Sequence, residues 1–425
     1  LKSLMFGNTI YGPIGIVMGS VLWTFPHVLV ILVAAFSLSD ARLYESAQVL
    51  KAGRWRIFRT VTLPGAVYGI ISAVMVAFIL VITDFGVPKV IGGNYNVLST
   101  DIYKEVVGQQ NFSMGAVVSV VLLMPAVAAF LIDRQVKKRQ RTAMSSQFVP
   151  YTPKKDRWVD LAALVYCSLI AIVTLGIVGM AQYASLVKFW PYNLSLTFDH
   201  YQFNVAGVGW ENFFNSLKLA LAVSAFGTTA ALIGAYAIEK SKTAPSLRTV
   251  VGGFSMIPIA VPGLVLGLSH LMFINHPDNP LQVLYGGFTI MIASTIVHFY
   301  TVSHLTATSA LRQIDPEMEG VSLSLKVPLY KSFFRVTLPI SIPVLLEISI
   351  YLFLASMTTV SGIIFLYGSE TKVASVAAIH LDEMGESAAA AAMGMLIVYA
   401  CVVVRLLHLG FGGWLIRRSQ AWRVR

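Results

Sequence analysis

The sequence is poor in charged residues and nearly free of cysteine. Only 12% of its 425 residues are Asp, Glu, Lys or Arg, whereas 56% are hydrophobic, and the mean hydropathy is +0.73. These values lie outside the range of soluble globular domains and inside that of polytopic membrane proteins. The two cysteines, Cys167 and Cys401, lie inside apolar runs and fit neither a disulfide framework nor a metal site.

Motifs that would indicate an enzyme are also absent. No GxxxxGK[ST] sequence is present to cradle a nucleotide phosphate, so we expect that the chain cannot hydrolyse ATP alone. No HExxH or GxSxG sequence and no clustered Cys/His set points to metal or nucleophilic chemistry. The sequence therefore predicts no catalytic residue, no metal site and no cofactor.

Long apolar runs are what the sequence does contain. A membrane-spanning helix needs about 20 mostly apolar residues, and nine runs of this kind can be counted. They occupy residues 12–37, 65–84, 113–133, 158–183, 213–238, 249–273, 286–310, 340–364 and 388–411. The sequence thus predicts an all-α polytopic membrane protein with about nine spans.

The basic residues are grouped in a way that fits membrane topology. Of the 31 Lys and Arg residues, 24 lie in five segments that fall on one side of the membrane if the spans alternate. These segments are 40–63, 134–157, 239–248, 311–338 and the residues after 411. By the positive-inside rule that side is the cytoplasm. The net charge of +11 therefore indicates orientation in a lipid bilayer and not a nucleic-acid partner.

One segment of the sequence occurs twice. When Gly320 is placed on Glu45, GVSLSLKVPLYKSFFRVTLP at 320–339 aligns with ESAQVLKAGRWRIFRTVTLP at 45–64 without a gap, and seven of the twenty positions are identical. We call this shift of 275 residues, from Glu45 to Gly320, the repeat offset. Six apolar runs separate the two copies, so the chain returns to the same side of the membrane. The repeats are therefore parallel, unlike the inverted repeats of many secondary transporters.

The repeat divides the chain into three parts. Residues 213–425 hold a complete repeat of five spans. Residues 1–140 hold the last three spans of the equivalent repeat, whose first spans we expect to precede Leu1. Residues 141–212 supply a polar cytoplasmic linker, one additional span and an extracytoplasmic segment.

Each copy of the repeated segment predicts a short amphipathic helix, a break and a second short helix. In the first copy Leu43, Ala47 and Leu50 form one apolar stripe. We expect Gly53 to break the helix here and Pro328 to break it in the second copy. A Leu-Pro pair then opens the next span, as Leu63-Pro64 and as Leu338-Pro339. Ordinary interfacial connectors would not need the same device twice, so the pattern indicates a partner that contacts both copies.

The repeated segment resembles the EAA loop of ABC importer permeases, whose pattern is Glu-Ala-Ala, three residues, Gly, nine residues and Ile-x-Leu-Pro. Glu45, Ser46 and Ala47 take the first three places, and Lys51 stands where the family has Gly. The corresponding residues of the second copy are Gly320, Val321, Ser322 and Lys326, followed by Val336, Leu338 and Pro339. This copy has no Glu at the motif position, although Glu317 and Glu319 precede it.

The resemblance implies a fold, a location and a set of partners. The fold is that of type I ABC importer permeases, with two parallel-repeat helical bundles in the bacterial inner membrane. The EAA loops would be coupling helices on which two cytoplasmic ABC ATPase subunits dock. An extracytoplasmic solute-binding protein would deliver a small-molecule substrate, which would cross the bilayer by alternating access.

The resemblance extends over essentially the whole chain and also suggests a substrate. It is closest to fused double permeases of the ferric-iron, thiamine and phosphonate group. Stretches such as TDFGVPKVIGGNYNVLSTDIY and IPIAVPGLVLGLSHLMFINHPDNPL look most like permeases for 2-aminoethylphosphonate. Ferric iron and thiamine are the alternative substrates.

Four polar residues are candidates for the substrate pathway. A carboxylate at the centre of a span costs roughly 3 kcal/mol on insertion scales, so Asp84 at the end of an apolar run needs an explanation. The repeat places Thr359 opposite Asp84, with Thr358 and Ser361 beside it. Two interpretations of Asp84 stay open: it accepts hydrogen bonds from a substrate, or it caps a helix at the membrane boundary.

A function of another class is also compatible with some of these residues. An ion- or proton-driven secondary transporter could use Asp84, Glu347 and the span histidines His27, His298 and His304 as a relay. Such a transporter would carry substrate without any ATPase. This hypothesis leaves the repeated segment without a purpose.

Overall fold

A computed structural model describes residues 10–37, 39–143, 149, 151, 156–203, 207–240, 245–314, 322 and 324–419 of the chain. The chain divides into two compact units, Leu1–Gly179 and Met180–Arg425. Regular structure in the described residues is almost entirely helical, as the apolar runs predict.

The first unit holds three long helices joined by shorter ones. Its helices are α1 (Pro13–Ser37), α2 (Ala41–Val49), α3 (Arg54–Ile57), α4 (Leu63–Ile82), α5 (Gly86–Ile91), α6 (Leu98–Tyr103) and α7 (Phe112–Ala143). A further long helix, α8 (Arg157–Leu186), begins in the first unit and ends in the second. Two π-helical turns, Phe58–Thr62 and Lys104–Gly108, interrupt the α-helical pattern.

Helix α4 is the centre of the first unit, because it packs against both α1 and α7. Its contact with α1 is close at Gly69, where a Cβ atom would lie only 2.1 Å from the Cβ of Ala35. Small residues at such crossings let two helix backbones approach, which is a common way of packing helices in membranes.

After the end of α8, the second unit contains a small hairpin of β1 (Val187–Phe189) and β2 (Asn193–Leu196). Eight further α-helices follow among its described residues. These are α9 (Trp210–Lys240), α10 (Pro245–Phe254), α11 (Gly263–Ile274), α12 (Phe288–Arg312), α13 (Leu329–Ser332), α14 (Leu338–Thr358), α15 (Ala374–Glu383) and α16 (Ser387–Ser419). Helix α9 packs against α12 and α14, and α16 packs against α14 and α15. Buried apolar side chains such as Phe353, Met357, Leu381 and Met393 fill the space among α14, α15 and α16.

Eight helices among the described residues are long and apolar enough to cross a membrane. A ninth candidate is a broken pair, Pro245–Ala260 and Gly263–Ile274, whose two parts meet at 109°. Such a pair is either one interrupted span or a re-entrant loop that returns to its starting side.

Contacts within the second unit show that the broken pair is one interrupted span. The C-terminal ends of α9 and α12 lie together, because Arg312 Nε is 3.0 Å from Glu239 Oε2. Their N-terminal ends both contact segment 370–372. On α9, the Asn215 amide donates to the Glu370 carbonyl at 2.8 Å. Just before α12, the Gly286 carbonyl accepts the Thr371 hydroxyl at 2.7 Å. Helices α9 and α12 are therefore parallel, so the broken pair between them passes from one end of the unit to the other. The prediction of about nine spans is confirmed.

The internal repeat extends to the helix boundaries. Helix α1 covers residues 13–37 and α12 covers 288–312, so the repeat offset relates both their starts and their ends. The same offset relates the π-helical turns Phe58–Thr62 and Phe333–Thr337 and the starts of α7 and α16. A hydrogen bond is also repeated: Ser99 Oγ donates to the Asp84 carbonyl and Ser375 Oγ to the Thr359 carbonyl, both at 2.6 Å. The two copies therefore share local structure over three long helices each.

We expect the close contact between α1 and α4 to be sensitive to one methyl group. Gly69→Ala should lower the free energy of unfolding by about 1–3 kcal/mol, since the added Cβ would overlap that of Ala35. Gly65→Ala is the matched control on the same helix, because no atom lies within 4 Å of its added Cβ. Thermal unfolding of the purified variants in detergent measures both, and equal melting temperatures would contradict a close contact between these helices.

Candidate functional site

The first copy of the repeated segment is fixed to the base of α4 through one aromatic side chain. Asp40 starts α2 by accepting the Arg42 N–H at 3.1 Å on Oδ1. Tyr44 is buried, stacks on Tyr151 with 4.0 Å between ring centroids, and donates from Oη to Thr62 Oγ1 at 2.9 Å. Helix α2 is therefore attached to the turn that leads into the span.

Of the apolar stripe predicted for this helix, only Ala47 is buried within the protein. Ala47 is buried, but Leu43 and Leu50 are exposed, and the second buried residue is Tyr44. Tyr44 and Ala47 lie three positions apart and share the inward face. Tyr44, whose hydroxyl donates to Thr62, was not part of the predicted stripe.

Both copies are broken at the lysine that replaces the family glycine. Lys51 and Lys326 have φ of 52° and 51°, in the left-handed region. In the first copy the Lys51 N–H donates to the Gln48 carbonyl at 2.9 Å, and the Ala52 N–H donates to the Ala47 carbonyl at 3.0 Å. This is the Schellman arrangement that ends many helices, normally with glycine in the left-handed position.

The second copy repeats one bond of this arrangement. The Val327 N–H donates to the Ser322 carbonyl at 2.9 Å, and the repeat offset places these two residues on Ala52 and Ala47. The same left-handed backbone conformation therefore ends the helix in both copies. Lysine adopts this conformation at a cost of roughly 1–2 kcal/mol.

The prediction that Gly53 and Pro328 break the helix is wrong. Gly53 has φ −66° and ψ 157°, an extended conformation open to any residue, and a Cβ there would meet no atom within 4 Å. Gly53 is the residue before α3, and the Pro328 carbonyl accepts the Lys331 N–H at 2.9 Å. Both residues start the second short helix instead of ending the first.

The Leu-Pro pairs lie inside a continuous helix and do not open one. The Leu63 N–H donates to the Phe58 carbonyl, five residues back, and the Leu338 N–H does the same to Phe333. Pro64 and Pro339 follow directly, and proline in a helix lacks a donor and clashes with the carbonyl four residues earlier. The widened turn accommodates the ring, so that Arg54–Ile82 is one helical span. Turns of this kind are frequent at functional sites.

The predicted coupling residues differ in what they contact. Glu45 is exposed, and Ser46 Oγ donates to the Arg42 carbonyl at 2.8 Å within its own helix. Ser332 Oγ donates to Ser322 Oγ at 3.2 Å in the second copy. Gly320 and Val321, like the preceding Glu317 and Glu319, lie outside the described residues.

Each copy exposes two apolar side chains at matching positions. Leu50 and Trp55 are 81% and 69% exposed in the first copy, and Leu325 and Tyr330 are 71% and 62% exposed in the second. We call these the exposed apolar pairs. Basic residues surround them in the sequence, with Arg54, Arg56 and Arg59 in one copy and Lys331 and Arg335 in the other.

An ion pair connects the first segment to the start of α8. Arg54 Nη2 lies 3.0 Å from Asp156 Oδ2, and Asp156 Oδ1 accepts the Trp158 N–H at 3.1 Å. The Trp158 N–H, with help from Arg54, holds the pKa of the Asp156 carboxyl below its usual value. Because the Arg54 side chain is largely in solvent, this pair adds little to stability.

Asp84 has the hydrogen bonds of a helix cap. Its Oδ1 accepts the Gly86 N–H at 3.1 Å and its Oδ2 accepts the Val87 N–H at 3.2 Å, at the start of α5. The Lys89 ammonium, one turn further on, lies 4.4 Å from the centre of the Tyr103 ring. The geometry therefore favours the capping interpretation, and a role for Asp84 in the pathway stays a prediction.

The three hydroxyl residues predicted for the pathway lie where α14 ends in the second unit. Thr358 is exposed and its Oγ1 donates to the Leu354 carbonyl at 3.0 Å, whereas Thr359 is buried. Ser361 lies against the broken span, since a Cβ on Gly263 would be 2.3 Å from its Oγ. Asp84 belongs to the first unit, and the pathway that these residues were expected to line stays a prediction.

The segment that follows α14 is buried, which is unusual for a loop. Ser294 Oγ donates to the Gly362 carbonyl at 3.0 Å, and a Cβ on Gly267 would lie 3.2 Å from the same oxygen. Residues 363–366 are buried beyond it. The sequence contained a signal for this close approach in the glycines of α11, but nothing that identified their partner.

The groups of the alternative relay have separate partners. Glu347 Oε2 lies 3.3 Å from Arg405 Nη1, His27 packs against the Trp23 ring, and His304 stacks on the Tyr300 ring. Within the described part of the chain no three His, Cys, Asp or Glu side chains are grouped as a metal would require.

Comparison with protein families gives a match over most of the chain. A family described as "Binding-protein-dependent transport system inner membrane component" matches residues 3–142 and 213–414. The intervening residues correspond to the predicted linker, additional span and extracytoplasmic segment.

Two curated proteins and one solved structure are similar to this chain. The ferric transport system permease protein FbpB of Actinobacillus pleuropneumoniae is 25% identical over 422 residues, which are 97% of this chain and 61% of that protein. The chain thus spans about three fifths of this relative's length. A protein of Salmonella choleraesuis strain SC-B67 named for a 2-aminoethylphosphonate transport system permease, PhnV, is 24% identical over 272 residues, 62% of this chain and 98% of that protein.

The solved structure shows similarity of fold alone. It is a bacterial ABC transporter involved in the import of the acidic polysaccharide alginate, with a TM-score of 0.50 and 18% identity. The match covers 60% of this chain and 95% of the solved one.

The left-handed lysine leads to a prediction that separates backbone shape from side-chain charge. Lys51→Gly should raise the free energy of unfolding relative to Lys51→Ala by about 1 kcal/mol, because both variants lose the charge and only glycine adopts a positive φ without strain. Lys326→Gly and Lys326→Ala should differ in the same direction. Thermal unfolding of the four variants checks this, and a more stable alanine variant at either position would contradict the assigned conformation.

Proposed function

The chain belongs to the family of binding-protein-dependent transport system inner membrane components, and we propose that it is the permease subunit of an ATP-driven bacterial importer. It is a multi-pass membrane component and not an enzyme. The observation that carries the proposal is the repeated segment: the left-handed lysine, the π-helical turn and the exposed apolar pair each occur twice, at positions related by the repeat offset.

The exposed apolar pairs are the surfaces on which two cytoplasmic ATPase subunits would dock. An apolar side chain gains about 1.5–3 kcal/mol on full burial, so four such side chains in a polar, basic setting favour a partner that covers them. The surrounding arginines and lysines favour a docking cleft with acidic residues at its rim.

The helix geometry supports the transfer of motion from such a partner into the span. Helix α3 continues through the π-helical turn into α4, and Tyr44 attaches α2 to the same turn. A displacement of the segment therefore moves the span with it. Closure and opening of the ATPase subunits would bias the permease between inward- and outward-facing arrangements, while an extracytoplasmic binding protein supplies the substrate.

Removing the apolar character of these pairs should weaken ATPase binding. We expect Leu50→Glu, and equally Leu325→Glu, to lower the affinity for the ATPase subunit at least tenfold, which corresponds to about 1.4 kcal/mol. Val283→Glu is the control, because Val283 is also highly exposed, at 85%, but lies near the N-terminal end of α12. Co-purification and permease-stimulated ATPase activity measure the effect.

Two outcomes would count against the docking proposal. In one, both Glu variants bind the ATPase as well as the parent protein does. In the other, reconstituted vesicles without any ATPase accumulate substrate, which would favour the ion-driven secondary transporter instead.

Ferric iron is the substrate that the relatives favour. The ferric permease from Actinobacillus pleuropneumoniae matches nearly the whole chain, whereas the similarity to the aminoethylphosphonate permease covers 62% of it. We therefore place ferric iron, which the sequence suggested as an alternative substrate, before the phosphonate. 2-Aminoethylphosphonate stays the second candidate, since that shorter relative is matched over almost its full length.

A transport assay with loaded binding protein distinguishes the two substrates. The permease, its ATPase and its cognate binding protein are reconstituted in vesicles and supplied with radiolabelled ferric iron or radiolabelled 2-aminoethylphosphonate. We expect ATP-dependent uptake of iron, which excess unlabelled phosphonate does not reduce. Uptake of the phosphonate with no uptake of iron would place the phosphonate first.

A further inference from the structure

Each repeat has one polar cluster between its last two long helices. In the first unit, Ser72 Oγ on α4 donates to Asp133 Oδ1 on α7 at 2.6 Å, and Lys137 Nζ is 2.7 Å from Asp133 Oδ2. Ser72 and Asp133 are both buried. The cluster therefore joins α4 to α7 through a charge-assisted hydrogen bond, with Lys137 as the balancing cation.

In the second unit, three charged or titratable side chains join α14 to α16. Glu347 Oε2 lies 3.3 Å from Arg405 Nη1, and Glu347 Oε1 lies 4.0 Å from His408 Nε2. Arg405 Nη1 also lies 3.3 Å from His408 Nδ1. Because arginine can only donate, Nδ1 of His408 is the acceptor in this contact.

The two clusters occupy equivalent positions of the repeat. The repeat offset places Glu347 on Ser72 and His408 on Asp133, and it also relates the starts of α4 and α14 and of α7 and α16. The carboxylate has therefore changed helices between the two copies. It lies on the last span in the first unit and on the span that follows the repeated segment in the second.

The net charge of the cluster is the same in both copies. Asp133 with Lys137 sums to zero, and Glu347 with Arg405 sums to zero when His408 is neutral. An unpaired charge within a span is costly, whereas a paired one is tolerated. What the two copies have in common is therefore neutrality and a contact between two helices, and not the identity of any one residue.

We propose that Glu347, Arg405 and His408 are positioning residues, which form a charge-neutral clamp that holds α14 against α16. This clamp is the counterpart of the one that Ser72, Asp133 and Lys137 form between α4 and α7. Helix α14 continues from the second repeated segment, so the clamp fixes the span that would move with the ATPase against the last span. The clamp itself stands on the contacts above, and its part in transport rests on the proposed function.

The exchange of the carboxylate between helices can be reversed by mutation. Glu347→Ser leaves Arg405 unpaired and gives the cluster a net charge of +1, and His408→Asp adds a second acid and gives −1. The double variant has Ser and Asp at the two positions where the first unit has them and is neutral again, with the new carboxylate three residues from Arg405 on the same helix. Glu386→Ser, which removes an exposed acid just before α16, controls for the loss of a carboxylate.

Thermal unfolding in detergent tests the clamp without any partner protein. We expect each single variant to melt about 5 °C lower or more, and the double variant to recover at least half of this loss. Glu386→Ser should melt within about 1 to 2 °C of the parent, the effect of an ordinary surface substitution. A double variant no more stable than the worse single variant would overturn the proposal, and so would two single variants with unchanged melting temperatures.

Reconstitution with the ATPase and binding protein tests the positioning role. The measured quantity is substrate moved per ATP hydrolysed, normalised to folded permease, at a temperature where every variant is folded. We expect this ratio to fall several-fold in both single variants and to return in the double variant. An unchanged ratio in destabilised single variants would overturn the positioning role and leave only a structural clamp. A parent protein that moves no substrate with ATP would instead count against the proposed function.

Discussion

The hydrocarbon interior of a bilayer offers no hydrogen-bond partner, and this constraint determines how the polar residues of the spans are placed. Several hydroxyl groups donate to carbonyls four residues earlier in their own helices, as Thr24 does to Ser20 and Ser356 to Leu352. Two carboxylates within the spans, Asp133 and Glu347, have partners on a neighbouring helix. Pro64 and Pro339, which have no N–H to donate, each follow a widened turn.

The repeated segments are built from helix ends and not from flexible loops. A Schellman turn satisfies the last carbonyls of the first short helix, and the π-helical turn keeps the second one continuous with the span. A flexible connector would absorb the movement of a partner, whereas a continuous helix passes it on. The segment is therefore suited to transmit the motion of a partner into the span.

Features that depend on runs and counts along the chain could be predicted from the sequence. The spans, the membrane class and the internal repeat follow from hydropathy, charge grouping and self-alignment, and the helix boundaries agree with them. The position of the helix break could not be found this way, because it depends on a lysine adopting a conformation that sequence rules reserve for glycine. The partner of Glu347 lies 58 residues away on another helix, and no periodicity indicates such a pairing. The sequence was compatible with two roles for Asp84, substrate contact and helix cap. Only the positions of the Gly86 and Val87 amides favour the helix cap.

The agreement of helix lengths between the two copies has a consequence for how such a chain can change over generations. A residue inserted into α4 would advance everything beyond it by about 1.5 Å and rotate it by about 100°. Gly69 would then no longer face Ala35, and Ser72 would no longer face Asp133. The stretch between Asp84 and Ser99, by contrast, is one residue shorter than its counterpart from Thr359 to Ser375, and the same hydrogen bond closes both. After a duplication, substitutions can accumulate anywhere on these spans, but insertions and deletions are confined to the turns between them.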